Sequence, residues 1–290
     1  MGLRLKFNMV LLLVFTIGLG ATGYVSYELL HRNARDEVLR NAGVMMESAL
    51  SMRGYTVGKV RPLLPYDPDK FLPESVPAFA ATEIMGLLRK KYPDYSYKEA
   101  ALNPTNPRNR AVEWETDILN TFRAGKGGAE LSGVRETPTG RSLYLARPLT
   151  IRDEACLSCH TTAEMAPPAM VKLYGATNGF GWKLNEIIAA QIVSVPMDLP
   201  IRNANRAFVT FMSSLAVVFT VLFVLLNVML TLLIVHPITQ LSHTAEAISK
   251  GRLDVADFSD KGRDEVAHLG QAFNRMRRSL QKAIALIDKG

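Results

Sequence analysis

Cysteine is almost absent: two of 290 residues, three positions apart. So few thiols exclude a disulfide-stapled scaffold and a zinc site built from two cysteine pairs. Histidine is scarce as well, with five residues. Charge is spread thinly. The net charge of +7 comes from 34 Lys+Arg against 27 Asp+Glu, and no basic block stands out. The densest runs are short: Arg89-Lys90-Lys91, with Asp94 three residues on, and Arg275-Met276-Arg277-Arg278, interrupted by a methionine. That distribution describes a solvated surface and argues against nucleic acid as a partner. The 48% hydrophobic content excludes a disordered chain.

The apolar residues that are present concentrate in two runs. Phe7–Tyr27 and Ala207–Val235 carry no charge, and each reaches the roughly 20 residues that cross a bilayer. The first run also has small residues near its end (Gly18, Gly20, Ala21), the mark of a cleaved signal peptide. Its uncharged length exceeds a signal core, and a helical pattern continues beyond Glu28, so an uncleaved anchor is expected. Two spans divide the chain into an N-terminal stub and first span (1–29), a central domain (30–206), a second span (207–235) and a tail (236–290). The Lys/Arg count near the spans does not decide the orientation.

Within the central domain, Val38, Ala42, Met45, Ala49 and Met52 follow helical spacing from 34 to 60, and Pro62 and Pro65 end that helix. A helix from Ser75, as N-cap, to Lys91 and a third over 111–123 are expected. Strand-like runs cover 129–136 and 141–151, joined by Thr137-Pro-Thr-Gly, and a third covers 189–196. Helices followed by strands predict an α+β domain with an antiparallel sheet.

The two cysteines fall in Cys156-Leu-Ser-Cys159-His160, a CxxCH motif. Its spacing lets two thiols reach two vinyl groups on one porphyrin edge, and the next residue ligates the iron. One covalent haem c is expected, with Cys156 and Cys159 as thioethers and His160 as proximal ligand. Covalent attachment of this kind occurs outside the bacterial cytoplasm. The central domain is therefore expected in the periplasm, with both termini cytoplasmic and the protein two-pass in the inner membrane. For the distal position, His31 lies too near the first span, and no third cysteine exists. A methionine of the first helix is one option, with Met45 preferred and Met52 and Met46 as alternates. Water, an open position and Tyr55 remain alternatives.

Further segments accompany the CxxCH motif: Arg53-Gly-Tyr-Thr, Pro73-Glu-Ser-Val-Pro-Ala-Phe, Asn103-Pro-Thr-Asn-Pro-Arg-Asn-Arg-Ala, Ala146-Arg-Pro before Cys156, and Val193-Ser-Val-Pro. Through them the stretch from about Met45 to Pro196 resembles the periplasmic haem c sensor family with a PAS-like fold, long classed as a domain of unknown function. The resemblance implies a small antiparallel sheet with flanking helices and haem held near its edge.

After His236-Pro237, apolar residues recur at Ile238, Leu241, Ala245 and Ile248. Past Gly251 they resume at Val266, Leu269, Phe273, Met276, Leu280, Ala283 and Ile287. Two such helices need a second copy to bury their seams as a coiled coil. The tail resembles a HAMP signal-relay domain through its membrane-proximal proline, Gly251-Arg-Leu, Asp264-Glu265-Val266, Leu269 and Phe273-Asn-Arg-Met. No kinase, cyclase or other catalytic signature accompanies it. The expected protein is not an enzyme. It is a parallel homodimer that senses redox state or a small gas and signals to a cytoplasmic output protein. The alternative is a membrane-anchored monohaem cytochrome c carrying electrons to a redox partner.

Overall fold

The computed structural model describes residues 2–64, 70–252, 254–258, 262 and 264–287, without the side chains of Ala285 and Ile287. Pro65, Leu253 and the Ile287 seam side chain therefore lie outside the described residues. The chain divides into two units, 28–207 and the combined segments 1–27 and 208–290.

Helix α1 (Leu3–Tyr55) runs on without a break from the apolar N-terminal run, as its uninterrupted pattern predicts, and its residues from Glu28 on belong to the first unit. It ends in a π-helical turn, Thr56–Val60, and a 3-10 turn, Arg61–Leu63, which carries Pro62. Helix α2 spans Pro77–Lys91. The expected Ser75 cap is corrected: Val76 is the N-cap, and the Ser75 hydroxyl donates to the Leu72 carbonyl instead. Pro77 in the first turn lacks the N–H that a cap would satisfy. Strand β1 is Ser96–Ala101, helix α3 Glu113–Arg123, strand β2 Leu131–Thr137 and strand β3 Gly140–Thr150. Short helices α4 (Leu157–His160) and α5 (Pro168–Tyr174) precede strand β4 (Ile187–Pro196).

The four strands form one antiparallel sheet in the order β1-β4-β3-β2. Three strands were expected; β1 is the addition, and it pairs along β4 from Ser96↔Ser194 to Ala101↔Ala189. One face receives α1 and α2: Val38, Ala42, Met46, Ala49, Ala81 and Met85 pack on Tyr97, Leu143, Leu145, Val193 and Val195. The other face receives α3 through Ile118, Leu119 and Phe122, against Ala100, Ala146, Ala190 and Ile192. Arg147 leaves the first face to bind Glu47 of α1 at 2.6 Å and Glu130 at 3.1 Å.

In the second unit, helix α6 (Asp198–Leu230) passes through a π-helical turn, Thr231–Val235, into helix α7 (His236–Ser249). Pro237 stands in the first turn of α7. The π turn before it accommodates the N–H that proline lacks. Phe15 stacks on Phe219 at 4.7 Å, and Tyr27 meets Phe208 edge-on at 5.6 Å. The helical runs Leu3–Leu63 and Asp198–Ser249 each contain a segment long and apolar enough to cross a membrane. Helix α8 (Glu265–Ile287) starts at an Asp264 side chain that accepts from Ala267 N at 2.8 Å. Asn274 grips the connector from both sides, accepting from Phe258 N and donating to Phe258 O. The Phe258 ring lies where a side chain on Gly270 would stand, so this close approach requires glycine. Phe273 is buried within the chain, whereas Leu269 and Met276 are 49% and 59% exposed.

Candidate functional site

The end of the sheet where β1 and β3 finish and β4 begins carries a third apolar cluster. Ala101, Ile151, Ile188 and Ala189 pack there with Leu149, Cys156, Leu157 and Trp182. This cluster floors a cavity of about 240 Å³ between the end of α1, the 73–79 segment, the 104–109 loop and α4. Cys156, Cys159 and His160 all line it. Local sequence explains why they converge. Asp153 caps the 3-10 turn Glu154–Cys156 by accepting from Ala155 N, and the chain continues directly into α4. Both sulfurs are free thiols and both are half-buried. Burial first, and Asp153 next, push the Cys156 thiol up, against the opposing pull of Arg61 and Arg53.

His160 is fixed on three sides. Its ring stacks on Trp182 at 3.8 Å with a 14° tilt. Nδ1 lies 2.7 Å from the Gly179 carbonyl and 3.4 Å from Thr105 Oγ1. A carbonyl can only accept, so Nδ1 carries the proton and Nε2 keeps its lone pair. Burial pushes the imidazole pKa down, opposed by the bond to Gly179. The ring is held neutral in the tautomer a metal ligand needs. Asn103 holds the Gly179 loop, accepting from Gly179 N at 3.1 Å and donating to Phe180 O at 3.2 Å. This explains the local use of the Asn103-Pro-Thr segment.

The cavity has a charged wall that the motif reading missed. Arg53 Nη1 reaches both Glu99 carboxylate oxygens, at 2.6 and 2.7 Å. Glu99 is 3% exposed, and Tyr97 Oη donates to it at 2.7 Å. Gln191 Nε2 donates in turn to Tyr97 Oη at 3.0 Å. Burial, then the adjacent Glu99 carboxylate, pushes the Tyr97 phenol up. Removing one partner of such a pair strands a buried charge, at a cost of about 3–5 kcal/mol. The sequence signal was a Glu inside a strand opposite a Gln, with Arg53 one residue before a glycine.

The methionines of α1 are placed elsewhere. Met46 is fully buried under the sheet, and Met45 and Met52 pack at the margin of the same core. None of the three is among the described residues that line the cavity. The reason is the stripe itself: Val38, Ala42 and Met46 repeat every four residues and turn toward the sheet, and α1 reaches the cavity only at Arg53. Among the described residues the methionine lining the cavity is Met170, from α5. No cluster of three or more His, Cys, Asp or Glu suited to a bare metal ion occurs among the described residues.

A mixed helical and antiparallel-sheet domain with a thiol pair and an oriented imidazole in one cavity, followed by a two-helix tail, defines the class. Residues 31–196 match the model of the Tll0287-like family and residues 229–282 that of the HAMP domain. The chain belongs to the Tll0287-like family and carries a HAMP domain. Among solved structures it is similar to the cyanobacterial heme-protein Tll0287, at 15% identity over 55% of this chain and 95% of that one, with a TM-score of 0.44. No curated protein matches.

Proposed function

We propose that residues 30–206 form a periplasmic haem c sensor domain, set between membrane spans at 1–29 and 207–235, with a cytoplasmic HAMP domain at 236–290. The residues fit one covalent haem. Cys156 and Cys159 would hold it through thioethers to its two vinyl groups, and His160 would serve as the proximal ligand through Nε2. The observation that carries this reading is the His160 ring, locked by Gly179 and Trp182 beside two free thiols in one apolar-floored cavity. When bound, the haem supplies a one-electron couple and an iron coordination position. The chain's own residues exclude water with Trp182, Ile151 and Ile188, hold the imidazole proton on Nδ1 and supply Arg53, Arg61 and Arg108 to the lining. In this reading the protein is a signal transducer in the bacterial inner membrane with both termini cytoplasmic, and not an enzyme. It works as a parallel homodimer that passes a redox or gas signal to a cytoplasmic output protein.

The exposed Leu269 and Met276 on α8 support relay over electron carriage, because an anchor alone needs no such seam. The experiment is cysteine cross-linking at Leu269 in membranes, with the haem oxidised, reduced, and reduced under CO or NO. A sensor changes its cross-linking rate between states. An unchanged rate, with rapid electron exchange to a respiratory complex, supports the electron-carrier reading.

A further inference from the structure

Helix α1 meets the cavity through one side chain, Arg53 in its last turn. Its partner Glu99 belongs to the sheet, tied there through Tyr97 Oη and, beyond it, Gln191. The carboxylate is thus the fixed half of the pair, and the guanidinium is the half carried by the helix. Directly after Arg53 the helix loosens into the π turn Thr56–Val60, which contains Gly58, and the next turn returns Arg61 to the same cavity. Two cations from the end of one helix, one of them locked to a buried carboxylate, share a cavity with Cys156, Cys159 and His160.

Resting on the haem reading above, we propose that Arg53, anchored by Glu99, is the positioning residue that couples the charge of the haem iron to the end of α1. Adding one electron at the iron removes one positive charge from a cavity of low polarity. A fixed guanidinium there is repelled less by the ferrous than by the ferric state. Docking of Arg53 on Glu99 is therefore tighter when the iron is reduced. By linkage, the docked Arg53 raises the reduction potential by the same free energy. Glu99 acts with the opposite sign, since a buried carboxylate favours the ferric charge. The pair tunes the iron and holds the helix end through the same contact.

The test is mediated redox titration of the full-length protein in nanodiscs, an electrode supplying the electrons, on wild type, Arg53→Gln, Arg53→Lys, Glu99→Gln and the double variant Arg53→Gln/Glu99→Gln. Expected are a lowered potential for Arg53→Gln, a raised one for Glu99→Gln, and values near wild type for Arg53→Lys and the double variant. A merely structural pair would shift both single variants in one direction. Hydrogen exchange at amides 53–60 should be slower in reduced than in oxidised wild type, and this difference should vanish in Arg53→Gln. If Arg53→Gln does not fold, Glu99→Gln carries the test, because it leaves no buried unpaired carboxylate. Haem attached with same-sign shifts, or with none, overturns the inference alone. Wild-type protein without covalent haem overturns the reading beneath it as well.

Discussion

The Gly179 carbonyl stands 2.7 Å from Nδ1 of His160, across a loop that Asn103 ties down from the far side. That one contact fixes the tautomer and the aim of the imidazole. It leaves Nε2 with its lone pair, in a residue that lines the same cavity as Cys156 and Cys159.

Gly179 has φ +85°, and a Cβ there would stand 2.7 Å from Thr105 Cα. Gly179→Ala should therefore lose about 1–3 kcal/mol of stability in urea denaturation. It should also weaken the His160 signature in the ferrous optical spectrum while leaving covalent haem in place. Wild-type stability and an unchanged spectrum would show that the loop does not orient His160.

Met46 is fully buried in the sheet core. Met46→Ala should cost about 2–5 kcal/mol, and Met45→Ala and Met52→Ala less. None of the three should alter the ferrous haem spectrum. A change from low to high spin in any of them would assign a thioether ligand to α1.

How much of this could be read from the sequence depends on where charge sits. The CxxCH motif announces the site, and β2, β3 and β4 alternate plainly. Strand β1 hid because Lys98 and Glu99 look like surface residues. In the structure each is paired, Lys98 with Glu115 at 2.6 Å and Glu99 with Arg53, and such partners come from remote segments. The stripe of α1 was legible to within one position. Spacings of three and four both satisfy a helix, so Met45 and Met46 were separable only by packing. The π turns after Tyr55 and before His236 follow from backbone accommodation, which leaves no residue pattern of its own.

Tyr97 supplies a pH dependence. Its phenol pKa is raised in the folded state by burial and by Glu99, so its contribution is fully present below the unfolded value near 10 and is lost as pH rises above it. Tyr97→Phe should cost about 1 kcal/mol at pH 7 and flatten the fall in stability above pH 10. Denaturation curves at pH 7, 9 and 10.5 check this. An equally steep alkaline loss in the variant would remove Tyr97 as its source.

On α8, Ala267, Gly270, Asn274 and Arg277 are buried, whereas Leu269 and Met276 are exposed. Asn274 and Arg277 bind the connector at Phe258 and Val255. Cysteines at Leu269 or Met276 should cross-link two copies efficiently, and one at Arg275, about a third of a turn from Leu269, should do so less. Phe273 is a poor probe because it already packs within its own chain. Equal yields at Leu269, Met276 and Arg275 would argue against a dimer seam there.

The central claim is that Cys156 and Cys159 hold haem by covalent bonds. The most direct test is haem-dependent peroxidase staining of the full-length protein after denaturing electrophoresis and acidic acetone extraction, for wild type and Cys156→Ala/Cys159→Ala expressed with a cytochrome c maturation system. The account predicts stain at the 32.0 kDa wild-type band and none in the variant. Haem that leaves the wild-type polypeptide with the acetone would contradict it.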